Sequence, residues 1–153
     1  MRDSTLFDKA VETFFEPLAR KLGLPLSRVA DGVYEIPSPK FVMRVRLHTG
    51  HHRGLNVLLR PSSPREFDEN DPGSELGIGC FVEFCGEDFR DAFGLISTDE
   101  DFMERTRWFA IAAERYGVPY LLGEGKDWEA VKGMVKMKTE KGIEELKKYW
   151  FLH

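Results

Sequence analysis

A helical spacing of apolar residues opens the chain. Between Phe7 and Leu22, apolar side chains recur at intervals of three and four residues, which places them on one face of a helix. Gly23 follows, and glycine is the residue that most often ends a helix. Pro17 lies inside this pattern, where it cannot donate an N–H and crowds the preceding turn. The sequence therefore predicts an N-terminal helix that is kinked or divided near Pro17.

Past this helix, apolar residues recur at every second position, which is typical of β-strands. The clearest strand covers residues 41–48, and a second covers residues 55–60. Residues 49–54, which separate them, are polar with two glycines, so a β-hairpin is the simplest connection. Residues 33–36 and 120–122 are weaker strand candidates.

The alternation also predicts how the two hairpin strands pair. Residues that face each other across an antiparallel ladder share one face of the sheet, so apolar odd-numbered positions must oppose each other. This parity allows Leu47 opposite Leu55 and Arg46 opposite Asn56. It fixes the register to within two residues.

A third strand is predicted from Leu76 to about Phe84. Its alternation places Phe81 on the side that would adjoin the outward residues of the hairpin. Residues 61–75, which precede it, hold three prolines and mostly polar side chains. That composition indicates an exposed loop between the second and third strands.

Two helices are predicted in the C-terminal part of the chain. Residues 97–100 match a capping box, and a helix beginning there would end at Gly117, which precedes a valine and a proline. A last helix is predicted from an N-cap at Asp127 to about Trp150, although Gly133 and Gly142 weaken it and could divide it in two.

This order of elements indicates the fold class. A helix comes first, strands follow and helices come last, without the alternation of strand and crossover helix that a parallel sheet requires. We therefore predict an α+β fold: an antiparallel sheet of three to five strands, with an N-terminal helix and two or more C-terminal helices packed mainly on one face. Residues 1–153 are predicted to form a single domain, since this length is usual for one domain with its own core.

Composition and charge limit the classes of function. Apolar residues make up 42% of the chain and charged residues 31%, as in ordinary globular proteins. We expect a soluble, cytoplasmic protein that does not enter a membrane. The N-terminus lacks secretory-signal features, no apolar run approaches the roughly 18 residues of a membrane helix, and two cysteines are too few for a disulfide framework. The net charge of -4 disfavours nucleic acid as a partner.

Basic and apolar side chains would share the outward face of the predicted sheet. Such a mixture could hold an acidic partner protein or an anionic ligand, or stack a nucleic-acid strand on an aromatic side chain. The alternative is a solvated or helix-covered face, with arginine and lysine stems lying over its few apolar residues. The candidate binding residues are Arg44, Arg46, Arg60 and Phe81.

Three of the four histidines lie close together around the predicted hairpin turn. His48, His51 and His52 could supply part of a zinc site, and further ligands would have to come from residues 80–88. A site of this kind would make the chain a metal-assisted hydrolase. The spacing does not require a metal, and a solvated polar turn is the alternative.

No pattern of catalytic residues stands out against these structural explanations. Cys80 is expected to pack in the core, and no basic residue adjoins Cys85 to activate its thiol. We therefore favour a non-enzymatic binding domain that uses the outward sheet face and needs no cofactor, with the histidine-dependent hydrolase as the alternative. The apolar residues 149–152 should either dock on the core or form part of an oligomer contact, and the oligomeric state stays open.

Overall fold

In the described part of the chain, helices and strands follow one another in the predicted order. The computed structural model describes residues 3–48, 54–63, 74–87, 96 and 98–152, and the side chains of residues 3 and 149–152 lie outside this description. The N-terminal helices are α1 (Asp3–Phe14) and α2 (Glu16–Leu22). The strands are β1 (Ser27–Ala30), β2 (Val33–Pro37), β3 (Phe41–His48), β4 (Gly54–Pro61) and β5 (Leu76–Gly77). The later helices are α3 (Ile78–Phe84), α4 (Asp99–Ala112), a π-helix (Ala113–Gly117), α5 (Val118–Leu121) and α6 (Trp128–Leu152).

The N-terminal helix is divided where the sequence predicts. Helix α1 ends before Phe15, and Pro17 occupies the first turn of α2, where its missing N–H leaves no hydrogen bond unmade. Gly23 ends α2 in a left-handed conformation with a φ of 67°, which glycine adopts without steric cost. Both predictions are confirmed.

The β3–β4 hairpin has the predicted register. Leu47 lies opposite Leu55, and Arg46 lies opposite Asn56. The weaker strand candidate at residues 33–36 is confirmed as part of β2. The five described strands form one antiparallel sheet in the order β1-β2-β3-β4-β5, so each strand pairs with its neighbour in the sequence. Because the pairing is local, alternation within two strands is enough to predict it.

The hydrophobic core lies between one face of this sheet and the helices. Alternate residues of β3 and β4 point into it, so that Met43, Val45, Val57 and Leu59 are buried. The helices supply the other side of the core through large apolar side chains: Phe7, Val11, Phe15, Phe102 and Val131. The sheet and the helices that cover mainly one face of it form the α+β fold that the sequence predicts.

The third predicted strand is wrong over most of its length. Only the two residues of β5 are paired as a strand, and the rest forms helix α3. Ile78, Phe81 and Val82 are the buried residues of α3, at the spacing of three and four that a helix requires. A short apolar run fits both periods, so alternation alone could not separate them. The strand candidate at residues 120–122 is also wrong, because α5 occupies most of it.

Helix α4 begins one residue later than the predicted capping box. Thr98 is its N-cap: the Thr98 hydroxyl accepts a hydrogen bond from the Asp101 N–H, and the Asp101 carboxylate accepts one from the Thr98 N–H. The predicted end at Gly117 is wrong, since α4 continues through the π-helix into α5, whose first turn accommodates Pro119. Gly117 instead permits close packing on the sheet, because a Cβ there would lie 2.5 Å from Met43 Cε.

The long helix α6 has two different halves. Near its N-terminus Val131 is fully buried, and Trp128 and Val135 pack against the core. Residues 136–148 are exposed, apart from the half-buried Gly142. None of the described helices is long and apolar enough to cross a membrane.

Candidate functional site

Strand register brings the predicted binding arginines together on one face of the sheet. In the strand register, Arg44 lies opposite Glu35 of β2 and opposite Leu58 of β4, and Arg60 lies opposite Val42 of β3. Residues paired across antiparallel strands point to the same side, which in this case is the side opposite the core. We call this side the outer face. Its strand residues include Val33, Glu35, Val42, Arg44, Arg46, Asn56, Leu58 and Arg60.

Two glutamates neutralise two of these arginines. Glu35 Oε2 lies 3.3 Å from Arg44 Nε and 3.4 Å from Arg60 Nη2. Glu75, which directly precedes β5, places its Oε2 3.8 Å from Arg44 Nε and 3.9 Å from Arg60 Nε. We call these four side chains the charged quartet; each is between 18% and 25% exposed. Their formal charges cancel.

The charged quartet corrects the prediction of an openly basic face. Arg44 and Arg60 already have carboxylate partners, with which an anionic ligand would have to compete. Because the quartet is largely shielded from water, removing one of its members leaves an opposite charge uncompensated in a partly desolvated site. Arg46 lies outside the quartet and is exposed. It is therefore the arginine of the outer face that is most available to a partner.

Phe81 does not lie beside these arginines. It belongs to α3 and is 3% exposed, and its ring centre lies 5.2 Å from that of Tyr120 and 6.0 Å from that of Trp128. The aromatic part of the predicted surface is therefore wrong. Its physical cause is the helix that replaces the predicted strand and turns Phe81 into the core.

The predicted histidine site is described only in part. His48 ends β3 and is exposed, whereas His51 and His52 lie outside the described residues. Within the described ranges, the His, Cys, Asp and Glu residues form no group of three or more that could hold a metal ion. The metal site and the hydrolase that depends on it stay predictions.

A second candidate site, which the sequence patterns did not indicate, is a small cleft beside the π-helix. It has a volume of about 230 Å³ and is lined by α3, the π-helix, α5 and the segment between α5 and α6. Its apolar walls include Phe81, Phe84, Tyr116 and Tyr120. Irregular helical turns of the π type occur often at functional sites, but they leave no signature in the spacing of apolar residues.

Tyr116 contributes a buried polar group to this cleft. Its hydroxyl has no hydrogen bond of normal geometry to any described residue. Burial, and after it the nearby Glu87 carboxylate, raise the pKa of Tyr116 to about 12. Glu87 pairs with Arg115 at 2.8 Å, and the Arg115 guanidinium lies 5.4 Å from the centre of the Tyr116 ring. Glu87 is thus a hydrogen-bond partner of poor geometry for this hydroxyl, and a ligand that offered a better-placed acceptor would gain affinity.

The opposite wall of the cleft is tightly packed. The Asp127 N–H donates to the Tyr120 hydroxyl at 3.1 Å, and a Cβ on Gly125 would overlap the Tyr120 ring. Cys85 lines the cleft and is exposed, while burial raises the pKa of the Cys80 thiol, which is the opposite of activation.

The outer face and the cleft are thus the two candidate sites among the described residues. Comparison of the chain with protein-family models, with curated proteins and with solved structures found no match. Which of the two sites carries the function must therefore be judged from the chemistry and the exposure of their side chains.

Proposed function

We propose that this chain is a non-enzymatic protein-interaction domain that binds its partner through the outer face. The observation that carries the proposal is the charged quartet, which lies among apolar residues on the face of the sheet opposite the core. A sheet face with no binding role needs only solvated side chains. Four partly buried charges held in one network are a more ordered arrangement than solvation requires.

Order of this kind favours association. A partner that docks on the outer face meets side chains whose rotamers are already restricted, so less conformational entropy is lost on binding. Val33 and Leu58 are half-buried beside the quartet, which gives the mixture of apolar and polar area common in interfaces. These features suit a broad protein surface better than a small ligand.

The charges also define the chemistry of the partner. The quartet has no net formal charge, whereas Arg46 adds an exposed positive charge and stands at the end of β3 with the exposed His48. We therefore propose a partner protein that presents one or two carboxylates to Arg46 beside an apolar patch. An extended polyanion such as nucleic acid fits less well, because the chain as a whole has a net charge of -4.

Site-specific photocrosslinking tests this proposal. A photoreactive residue at Asn56, which is exposed opposite Arg46, should capture one predominant partner in the source cell. The same residue at Thr13, exposed on α1, serves as the control and should not capture it. Adding Arg46→Glu to the Asn56 probe should reduce the yield. Equal capture from both positions, or a yield unaffected by Arg46→Glu, would contradict the proposal.

A second candidate function is small-molecule binding in the cleft, which the Tyr116 hydroxyl favours. Two basic and two acidic side chains line the cleft and cancel each other, so its ligand should be a small neutral aromatic compound with one hydrogen-bonding group. A screen of such compounds by ligand-observed NMR tests this. Binding should weaken in Tyr116→Phe, and hits that bind that variant equally well would exclude the hydroxyl as their anchor.

The histidine-dependent hydrolase has its own test. Protein purified without an affinity tag should be examined by elemental analysis, since a metalloenzyme centred on His48, His51 and His52 would retain a transition metal in stoichiometric amount. Such a result would favour the enzyme over the interaction domain.

A further inference from the structure

Helix α6 extends past the body of the protein. Trp128, Val131 and Val135 hold its first turns against the core. Residues 136–148, about 20 Å of helix at 1.5 Å per residue, are exposed except for the half-buried Gly142. This half of α6 is therefore a projecting arm, and its surface can be considered apart from the core.

The stripe that faces the core continues along the arm. The three core-facing positions are repeated eleven residues later by Thr139, Gly142 and Leu146. An interval of eleven residues corresponds to about 3.67 residues per turn, which keeps both sets on the same side of a nearly straight helix. Ile143 borders the repeated set. Ile143 is 48% exposed and Leu146 is 59% exposed, so the arm presents an apolar strip where the core no longer covers it.

Opposite charges flank this strip on both edges. Helical geometry places Glu140 and Lys147 along one edge, and Lys138 and Glu145 along the other. Within the chain Lys138 also pairs with Glu83 of α3, so the edge with Glu140 and Lys147 carries most of the complementarity. On each edge, the two charges are of opposite sign and lie two turns apart. In an antiparallel pair of identical helices, each edge meets the same edge of the other copy. The arm is thus electrostatically complementary to itself.

We infer that the arm of α6 packs antiparallel against the arm of a second copy of this chain. With the two-fold axis near Ile143, Glu140 lies beside Lys147 of the second copy, and Lys138 lies within about a turn of Glu145 of the second copy. The small residues Thr139 and Gly142 let the two helices approach closely. A parallel pair would bring both protein bodies to the same end of the arms, where they would compete for space.

The length of the arm sets the strength of this dimer. A contact between two helical segments of about 20 Å is smaller than the ~1,000 Å² that stable interfaces usually exceed. We therefore expect a reversible dimer whose population rises with protein concentration. This inference does not depend on the outer face, and either can fail without the other.

Sedimentation velocity over a wide concentration range tests it. The wild-type protein should shift from monomer to dimer with increasing concentration, and Leu146→Asp should stay monomeric. Met137→Asp is the matched control: Met137 is 71% exposed and lies on the opposite side of α6, so this variant should dimerise like the wild type. Both substituted positions are exposed, and circular dichroism should confirm that the variants remain folded.

Charge reversal provides the sharper test. Glu140→Lys and Lys147→Glu should each weaken the dimer by placing like charges together, whereas the double variant should restore it by exchanging the two partners. A wild-type chain that stays monomeric would overturn the inference. Equal behaviour of Leu146→Asp and Met137→Asp, or no restoration in the double variant, would overturn it as well.

Discussion

Arg44 Nε lies 3.3 Å from Glu35 Oε2, directly across the ladder between β2 and β3. Arg60 shares the same carboxylate from β4, on the other side of β3. One acidic side chain thus spans three strands and fixes two arginines that the alternation of β3 and β4 would present as free cations. The outer face is consequently a preformed polar network, with Arg46 as its exposed positive charge.

Loss of Glu35 should destabilise the fold. Glu35→Gln leaves Arg44 and Arg60 with less compensation in a partly shielded site, so the free energy of unfolding should fall by about 1–2 kcal/mol, between the cost for an exposed pair and that for a buried one. Glu16→Gln is the control, because its pair with Arg20 is well exposed and should matter by less than about 0.5 kcal/mol. Urea unfolding measures both.

The same experiment can isolate the contact between Glu35 and Arg44. Arg44→Met and the double variant complete a cycle with Glu35→Gln, and the double variant should be less destabilised than the sum of the two single variants. Additive changes in unfolding free energy would mean that the two side chains do not stabilise one another.

Because neighbouring residues of β3 point to opposite faces of the sheet, substitutions at Val45 and Arg46 should differ greatly in their effect on the free energy of unfolding. Val45 is fully buried, whereas Arg46 is exposed. Val45→Asp buries a carboxylate or forces its protonation and should cost several kcal/mol, while Arg46→Asp should stay within about 0.5 kcal/mol. Equal denaturation midpoints for the two variants would show that the facing of β3 is wrong.

The close approach at the cleft wall predicts opposite effects for two glycines. A Cβ on Gly125 would overlap the ring of the buried Tyr120 and force it to shift, so Gly125→Ala should destabilise the fold by about 1–3 kcal/mol. Gly133 lies inside α6 with nothing within 4 Å of the added Cβ, so Gly133→Ala should stabilise by about 0.5–1 kcal/mol. Thermal unfolding distinguishes the two, and a shift in the same direction for both would contradict this packing.

Tyr34 should make stability depend on alkaline pH. Burial, followed by the hydrogen bond that its hydroxyl donates to Asp8 at 2.8 Å, raises the pKa of Tyr34 to about 12, above the 10.0 of an unfolded tyrosine. Its contribution is therefore complete below pH 10 and is lost as the pH rises toward 12. Unfolding free energies across this range should fall more steeply for the wild type than for Tyr34→Phe. Identical slopes of unfolding free energy against pH for the wild type and Tyr34→Phe would show that Tyr34 does not cause the alkaline loss of stability.

Local patterns predicted much of this fold because its strands pair with their neighbours in the chain. The register of Leu47 and Leu55 needs only the alternation of two adjacent strands. The same alternation failed between residues 76 and 84, since a short apolar run satisfies a strand and a helix equally and the choice is made by packing against the core. The predicted helix end at Gly117 was wrong for a related reason. Gly117 permits close packing against Met43, a contact that the sequence does not reveal.

The sequence predicts only the part of the candidate site that depends on which strand residues share a face of the sheet. Arg44, Arg46 and Arg60 share a face because their strands pair in register, and the sequence predicts this. Glu35 and Glu75 come from other strands, or from residues beside them, and their contact with the arginines follows from the order of the sheet. The π-helix and the cleft beside it arise from tertiary packing, so the spacing of apolar residues in the sequence does not predict them.

Association kinetics with the partner captured at Asn56 test the central claim most directly. Arg46→Glu should slow association and reduce its dependence on salt, because it reverses the exposed charge that meets the partner's carboxylates. Arg107→Glu, which makes the same change at an exposed position of α4, should leave the kinetics unchanged. If Arg46→Glu associates at the wild-type rate with the wild-type salt dependence, the outer face is not the binding surface.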